Sequence, residues 1–383
     1  MEERVIKSAA DVKDLIRGLT LLGTGGGGRA DLGMDYLLPH VGSGKEIRLH
    51  SPETVPDDAW TCTVFGMGSI APQKPLSPEE RKSLGYGEWL VVKPMVEAVR
   101  ELSAYTGYRI DAIIPFELGA GNTTAPMDAA LRLRMKVIDG DYAGRAIPEL
   151  AQTTPALKGY TFEPGTICDP WGNVLLMKKA TSLKVAERIG KMISIATKLP
   201  DIKAPCAHAG FLLRGNEMKK LIIPGGVSLA FKIGRRIREA IVEGKDPALA
   251  AAEAIGGWVL FRGRVRKKEW ESREGYMFGT TTIEGSGPDS GHTFKVWFKN
   301  ENHVSYLDER VFVTSPDLIT IINTRDGEPC TNTTLEEGME VAVLGARADE
   351  KYRSREGLSL LGPRYFGFEI DYVPIENRCP RNL

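Results

Sequence analysis

The chain has 383 residues, of which 42% are hydrophobic and 26% are charged. This size and balance predict an ordinary soluble globular protein with room for two domains. Its 50 basic and 50 acidic residues cancel, so no overall field attracts nucleic acid or an anionic membrane, and we expect neither as a partner.

The first predicted element is a helix over residues 10–22, where apolar residues recur at helical spacing. Four consecutive glycines end this helix, and a second short helix is predicted over residues 31–40. Two strands follow, in the segments EIRLHSPETV and WTCTVFGMGSI. A longer helix is then predicted over residues 88–104, with Pro94 near its start.

Residues 112–152 alternate between strand and helix patterns, which predicts parallel βαβ units. In open sheets of this kind, ligands bind beyond the carboxyl ends of the strands. Three loops with unusual residues follow predicted strand ends, namely GMGS, ELGAGNT and DGDYAGR. We therefore expect a binding site where these loops converge.

After residue 159 the pattern changes to short strands separated by turns, and from residue 258 onward strand patterns dominate. Two helices are predicted between these regions, over residues 227–242 and 247–255. We therefore predict an N-terminal α/β domain with a mainly parallel sheet over residues 1–163 and a β-rich C-terminal domain over residues 164–383. The tail at 360–383 is a candidate to pack back on the first domain.

The cysteines are scattered and form no CxxC pair, which indicates neither a disulfide framework nor a structural zinc site. The first residues show no basic segment followed by an apolar one. No apolar stretch approaches the roughly 18 residues of a membrane span. We therefore expect a cytoplasmic protein.

The glycine run at residues 25–28 exceeds what a single turn needs. It lacks the lysine and hydroxyl residue of a Walker loop. Gly23, Gly25 and Gly28 match the GxGxxG spacing, but a helix precedes them where a dinucleotide site needs a strand. The pattern therefore favours neither ATP nor NAD. A turn between helices and a wall of a binding site both stay open as interpretations.

Two carboxylates follow an apolar strand end. Asp139 and Asp141 are two residues apart, which puts them on one side of an extended backbone. Carboxylates about 4 Å apart repel by roughly 4 kcal/mol at an effective dielectric constant near 20, so this pair needs a proton, a metal or a cation such as Arg145. A functional cluster fits this pattern, and so does a structural one in which Asp141 caps a turn and Pro148 begins the next helix.

The loop FELGAGNT carries Glu117 after an apolar strand, as a candidate base or as an exposed strand terminus. Asn122 and Thr123 are candidates for hydrogen bonding or for capping a helix that is predicted to begin near Pro126.

The histidines form no metal-binding motif, and no GxSxG nucleophile elbow occurs. His208 is nevertheless a candidate metal ligand because it lies beside Cys206 in a stretch of small residues. Cys168 and Cys206 are interpreted as buried small hydrophobes. The basic run at 262–274 includes glutamates, which predicts an exposed strand in place of a nucleic-acid site.

Six segments occur in a specific order and spacing: LGTGGGG, FELGAGNT, DGDYAGRAIPE, FKNEN, PDLI and GPRYFGFEIDY. Together they resemble the S-methyl thiohydantoin desulfurase family over nearly the whole chain. The resemblance implies an N-terminal α/β domain, a C-terminal domain similar to the accessory β domain of metal-dependent hydrolases, and desulfurisation of a thiohydantoin ring. Ala120 stands where another glycine is expected, so substrate preference can differ.

We expect a hydrolase that replaces sulfur, or opens an amide, at C2 of a small cyclic amide or thioamide such as a thiohydantoin. The expected catalytic residues are Glu117, Asp139, Asp141 and Arg145. The expected substrate-binding residues are Gly25, Gly26, Gly27, Gly28, Ser69, Asn122 and Thr123. If a divalent metal activates the water, its candidate ligands are Asp139, Asp141 and His208.

Two alternative functions stay open. The first is a non-catalytic subunit that binds a small metabolite and assembles with a hydantoinase-type partner. The second is a nucleotide-dependent ring-opening enzyme, which a stabilisation by ATP or NAD would reveal. A homo-oligomer is compatible with each of these functions.

Overall fold

A computed structural model describes residues 5–72, 76–197 and 206–379. The helices are α1 (Ala9–Leu22), α2 (Ala30–Gly42), α3 (Pro78–Ser83), α4 (Pro94–Thr106), α5 (Ala120–Arg132), α6 (Thr154–Leu157), α7 (Leu183–Thr197), α8 (Gly215–Leu221), α9 (Gly226–Val242), α10 (Pro247–Ala254), α11 (Glu350–Arg353), α12 (Arg355–Leu361) and α13 (Ile375–Arg378). None of the helices in these ranges combines the length and the apolar character needed to cross a membrane.

The strands of the first half are β1 (Val5–Ile6), β2 (Ile47–His50), β3 (Trp60–Gly66), β4 (Ile110–Ile114), β5 (Lys136–Ile138), β6 (Gly140–Asp141), β7 (Gly165–Cys168), β8 (Val174–Met177), β9 (Ala207–Arg214) and β10 (Ile223–Pro224). Those of the second half are β11 (Trp258–Arg273), β12 (Tyr276–Gly285), β13 (Thr293–Lys299), β14 (Glu301–Leu307), β15 (Arg310–Thr314), β16 (Leu318–Asn323), β17 (Pro329–Cys330) and β18 (Glu340–Ala346).

The first sheet has the strand order β1-β2-β5-β4-β3-β9-β7-β8. Its four central strands, β2, β5, β4 and β3, are parallel, whereas the flanking strands pair antiparallel. The predicted α/β class with a mainly parallel sheet is confirmed. The carboxyl ends of the parallel strands meet at one edge, and the loops that follow β3 and β4 lie there.

Strands β7, β8 and β9 complete this first sheet, and β9 pairs directly with β3. The change of sheet therefore falls after residue 214, and not at the predicted boundary between residues 163 and 164. The change in sequence pattern is real, because these strands are short and joined by turns. A short strand joins one sheet or another through contacts with distant segments of the chain. A local sequence pattern contains no information about those contacts.

The second sheet has the order β15-β14-β13-β12-β11-β18-β16-β17 and is antiparallel throughout. It confirms the prediction of a β-rich C-terminal part. Phe261, Phe294, Ile321 and Val343 are among its buried core residues. The outer half of β11, which carries the basic run, is largely exposed, as expected. The likeness to the accessory β domain of metal-dependent hydrolases stays a prediction.

Several element boundaries differ from the sequence-based expectation. The strand predicted in EIRLHSPETV covers only Ile47–His50, and a single 3-10 turn follows it. The helix predicted over residues 88–104 begins at Pro94, because the fixed φ of proline suits the first helical position. Pro148 begins no helix; Pro155 takes that role at the start of α6.

The C-terminal segment contacts loops of the N-terminal part and the core of the second sheet. The hydroxyl oxygen of Tyr352 lies within hydrogen-bond distance of the carbonyl oxygens of Tyr142 (2.9 Å) and Gln152 (2.6 Å) in the N-terminal part. The side chain of Gln152 donates in turn to the carbonyl oxygen of Leu360 at 3.0 Å. Ile375, further along, belongs to the core of the second sheet. The tail therefore ties these loops to the second sheet, beside the carboxyl edge of the first.

Candidate functional site

A cleft with a volume of about 160 Å³ lies where the carboxyl ends of β3 and β4 meet the second sheet. Its walls include the glycine run at 25–28, residues 65–70 at the end of β3 and just beyond it, and Glu117 after β4. Residues 147–150 and the start of β14 close it. Open α/β sheets bind their ligands at this edge. All four glycines of the run line this cleft.

The glycine run has no room for side chains. A Cβ atom on Gly26 would lie 1.9 Å from Oε1 of Glu301, and one on Gly27 would lie 2.6 Å from the backbone of the loop after β4. Gly25, Gly27 and Gly28 also adopt φ angles of 97°, 76° and 87°, where a side chain is strained. The run thus brings its backbone into contact with both neighbouring walls of the cleft.

The same run determines where α5 begins. The carbonyl oxygen of Gly27 accepts hydrogen bonds from the backbone amides of Gly121 (3.0 Å) and Asn122 (3.1 Å), two amides of the first helical turn. The helix therefore starts at Ala120, and Pro126 lies inside it, contrary to the predicted start. Because backbone from a distant loop satisfies these amides, Asn122 does not act as a cap.

Glu117 is held rigidly on the cleft wall with 3% of its surface exposed. Its Oε1 atom accepts a hydrogen bond from the amide of Asn122 at 2.8 Å, and its Oε2 atom accepts one from the backbone amide of Ile147 at 2.7 Å. Burial raises the pKa of Glu117 to about 7, although these hydrogen bonds oppose the shift. A carboxyl that titrates near neutral pH is suited to act as a general base.

The side chain of Asn122 is oriented by three hydrogen bonds. Its oxygen accepts from the backbone amide of Gly66 at 3.0 Å, and its nitrogen donates to the carbonyl oxygen of Gly66 at 3.3 Å as well as to Glu117. These partners define which end of the amide faces the carboxylate. Asn122 therefore links the end of β3 to the candidate base.

The other two predicted substrate-binding side chains differ in position. Ser69 lines the cleft, and its hydroxyl oxygen accepts a hydrogen bond from the backbone amide of Ala71 at 3.1 Å. Thr123 is fully buried; its hydroxyl group donates to the carbonyl oxygen of Glu117 and accepts from the amide of Gly119, each at 3.0 Å. Thr123 shapes the loop that carries Glu117 and is not part of the cleft lining.

Sequence reasoning missed Glu301, the first residue of β14, which lines the cleft with 2% of its surface exposed. Its Oε2 atom has no hydrogen-bond partner among the described residues. Burial, and then the charge of Glu117, raise the pKa of Glu301 well above its usual range. Both effects favour the protonated form of this carboxyl. One sequence feature could have indicated Glu301: it is a charged residue at the first position of β14, directly after β13, whose buried residues alternate.

A buried ion pair on α7 forms another wall of the cleft. The ammonium group of Lys191 lies 3.3 Å from Oε1 of Glu187 and 4.0 Å from the ring centre of Tyr276. Oε2 of Glu187 accepts a hydrogen bond from the backbone amide of Leu150 at 2.8 Å. In sequence, an acid and a lysine four residues apart on a helix indicate a surface pair. Only the fold shows that this pair is buried at a cleft.

The structure places Asp139 and Asp141 outside the cleft lining, at the start of α9. Oδ1 of Asp139 accepts a hydrogen bond from the backbone amide of Ser228 at 2.9 Å, in the first turn of that helix. Oδ1 of Asp141 accepts from the amides of Ala143 (2.7 Å) and Gly144 (2.6 Å) and so caps a turn. Burial raises the pKa of Asp141 to about 7. The turn that Asp141 caps agrees with one part of the structural interpretation, whereas Pro148 begins no helix.

Arg145 is buried and connects three segments of the chain. Its guanidinium group donates to the hydroxyl of Thr24 at 2.8 Å and to the carbonyl oxygens of Asn302 (2.9 Å), Pro316 (3.2 Å) and Asp317 (3.3 Å). It thus holds the glycine loop against the second sheet. Like the two aspartates, it does not belong to the cleft lining.

His208 lies on β9 in the interior of the first sheet. Its Nδ1 atom is 3.2 Å from the carbonyl oxygen of Cys206, and burial lowers its pKa to about 4. The buried thiol of Cys206 has a pKa of about 12, as suits a small hydrophobe. Within residues 5–72, 76–197 and 206–379, no three His, Cys, Asp or Glu side chains are grouped to hold a metal. His208, Asp139 and Asp141 are therefore not assembled as a ligand set.

Comparisons with known proteins give a family and a fold. The model of the S-Me-THD-like, N-terminal domain matches residues 10–179, and that of the S-Me-THD-like, C-terminal domain matches residues 181–375. No curated protein matches the chain. A solved X-ray crystal structure of a protein from Chromobacterium violaceum is similar, with 20% identity, 97% of this chain and 99% of that chain covered, and a TM-score of 0.75. At that identity the likeness shows the fold alone.

Proposed function

The chain belongs to the S-Me-THD-like family, and from that premise we propose that it is a hydrolase that replaces sulfur at C2 of a thiohydantoin-type ring. The observation that carries the proposal is Glu117. It is a buried carboxyl on the cleft wall, held by two hydrogen bonds, with a pKa of about 7. Such a group accepts a proton from water at neutral pH, which the addition of water to C2 requires.

The proposed substrate is a ring in which C2 carries a methylthio group and a double bond to nitrogen. Glu117 takes one proton from water while the water oxygen bonds to C2 and an electron pair moves to the ring nitrogen. When that pair returns to C2, the carbon–sulfur bond breaks and sulfur leaves as methanethiol. Over the whole cycle, the proton that Glu117 took from water ends on sulfur, and Glu117 is ionised again. The remaining hydroxyl proton moves to nitrogen, so the products are a hydantoin and methanethiol.

Negative charge develops on the ring during the addition, and two kinds of donor lie at the cleft to stabilise it. The ammonium group of Lys191 is buried beside the wall formed by residues 68–70. The backbone amides of Gly27 and Gly28 donate no hydrogen bond to another described residue, which leaves them for a ligand. A donor aimed at developing charge contributes about 3 to 4 kcal/mol to a transition state.

The test is thiol release from an S-methyl thiohydantoin by the purified chain, followed with a thiol reagent. We expect turnover by the wild-type protein and a decrease of at least about 100-fold in Glu117→Gln, the low end of what a positioned base contributes. Glu269→Gln is the matched control, because Glu269 is exposed on β11 and pairs with Lys267; its activity should stay unchanged.

Two outcomes would contradict the proposal. If the ring stabilises the wild-type protein in a thermal shift assay but no thiol appears, the cleft belongs to a metabolite-binding protein. If the ring opens only when ATP is added, the chain is a nucleotide-dependent enzyme.

A further inference from the structure

Besides Glu117 and the ion-paired Glu149 and Glu187, the cleft holds the buried carboxyl group of Glu301, which the addition of water to C2 does not use. Glu301 reaches the cleft from the second sheet, whereas Glu117 reaches it from the first. The two side chains are close enough that the charge of Glu117 acts on Glu301. The cleft therefore contains two neighbouring carboxyl groups, so that one can accept a proton and the other can donate one during the same reaction.

The glycine loop packs directly against Glu301. The backbone of Gly26 lies against its carboxyl group, because a Cβ atom there would be 1.9 Å from Oε1. Immediately before Gly26, the loop is hydrogen-bonded to the second sheet and to the loop after β17. The carbonyl oxygen of Thr24 accepts from the amide of Asn302 at 2.8 Å, and that of Gly25 accepts from the amide of Asn332 at 2.7 Å. The position of the carboxyl is therefore predefined before a substrate binds.

The two carboxyl groups differ in how their oxygens are satisfied. Both oxygens of Glu117 accept hydrogen bonds from Asn122 and Ile147, which suits the ionised form. Oε2 of Glu301 has no partner among the described residues although it is fully buried. Buried polar atoms nearly always have partners in folded proteins. An unpartnered carboxyl oxygen at a cleft wall therefore points to a ligand atom as its partner.

We propose that Glu301 is a second catalytic carboxyl, which donates the proton to the sulfur that leaves C2. This inference rests on the proposed function. As the carbon–sulfur bond breaks, the proton of Glu301 passes to sulfur and the product leaves as a neutral thiol. Glu117 then holds the proton taken from water and Glu301 is ionised, and transfer of that proton from Glu117 to Glu301 restores both groups.

The experiment compares two substrates that differ in the leaving group. A methylthiolate needs a proton to leave, whereas a 4-nitrothiophenolate is stable as an anion and does not. We therefore expect Glu301→Gln to lower turnover of the S-methyl ring by at least about 100-fold but that of the S-(4-nitrophenyl) ring by less than about 5-fold. Glu117→Gln should lower both by similar factors, because both reactions begin with the addition of water.

Each outcome decides a separate point. Equal losses on both substrates, or no loss on either, in Glu301→Gln would overturn the role of Glu301 while the proposed function stands. A wild-type protein that cleaves neither substrate would remove the proposed function and this inference with it. If Glu301→Gln does not fold, Glu301→Asp carries the test, since a shortened acid placed further from sulfur should show the same selective loss to a smaller degree.

Discussion

Gly26 and Glu301 are in direct contact across the boundary between the two sheets, so close that a Cβ atom on Gly26 would come within 1.9 Å of Oε1 of Glu301. The glycine belongs to the loop between α1 and α2, and the glutamate begins β14. The missing side chain of one residue thus allows the carboxyl group of the other to reach the cleft.

Gly26→Ala should therefore displace the carboxyl group of Glu301. We expect a loss of turnover of roughly 10- to 100-fold, because small misplacements of reacting groups are costly. The free energy of unfolding should fall by about 1–3 kcal/mol from overpacking. Gly42→Ala is the control, since Gly42 has nothing within 4 Å of a Cβ position. If both variants behave alike in kinetics and denaturant titration, the contact does not position Glu301.

The stability of the protein should depend on the proton of Glu117, whose pKa rises from 4.5 to about 7 on folding. The folded state binds this proton more tightly than the unfolded state does. The contribution of this proton to the free energy of unfolding is therefore complete below about pH 4.5 and is lost as the pH rises to about 7. Relative to Glu117→Gln, the wild-type free energy of unfolding should fall by up to about 3 kcal/mol over that range. Denaturant titrations across these pH values check this, and a flat difference would contradict it.

Asn122 should tune the titration of Glu117, because the hydrogen bond from its amide lowers the pKa of that carboxyl. In Asn122→Ala we expect the acidic limb of the pH profile of kcat/KM to move upward by about one pH unit, since a hydrogen bond to a charged group contributes about 1.5 kcal/mol. Glu269→Gln should leave the limb in place. An unmoved limb in Asn122→Ala would show that Glu117 is not the group reported by the profile.

Asp139 should support folding more than chemistry. Its carboxylate accepts a hydrogen bond from the amide of Ser228 in the first turn of α9, so Asp139→Ala should lower the free energy of unfolding by about 1 kcal/mol. Turnover per folded molecule should change little. Melting temperature and single-turnover rate on the same preparation separate the two roles. A rate loss above about 100-fold would restore the catalytic interpretation of this aspartate.

Arg145 should be required for joining the domains. Arg145→Lys keeps the charge but cannot reach Thr24, Asn302 and the 316–317 backbone together, and it leaves buried acceptors unpaired. We expect a loss of at least about 3 kcal/mol in the free energy of unfolding. Amide exchange should rise first in the glycine loop and at the start of β14. Unchanged stability would mean that other contacts suffice to hold the two sheets together.

Several features could be predicted from the sequence because their causes are local. Apolar spacing placed α1 and the strands of the second sheet, since helical and strand periods are properties of short segments. The excess of glycine at residues 25–28 pointed to a close approach of the backbone, and the run lines the cleft. The order of six short motifs indicated the family, which the matches over residues 10–179 and 181–375 show.

What the tertiary structure alone decided depends on contacts between distant segments. α5 begins at Ala120 because the carbonyl oxygen of Gly27, some ninety residues away, accepts its first amides. The packing of the two sheets brings Glu117 and Glu301 to one cleft. Burial there raises the pKa of both carboxyl groups, and no single segment of the chain determines that burial. The same long-range packing turns Asp139 toward the start of α9. The sequence therefore determines the residue types and the local periodicity. The proximity of Glu117 and Glu301, on which the candidate chemistry depends, arises only when the chain folds.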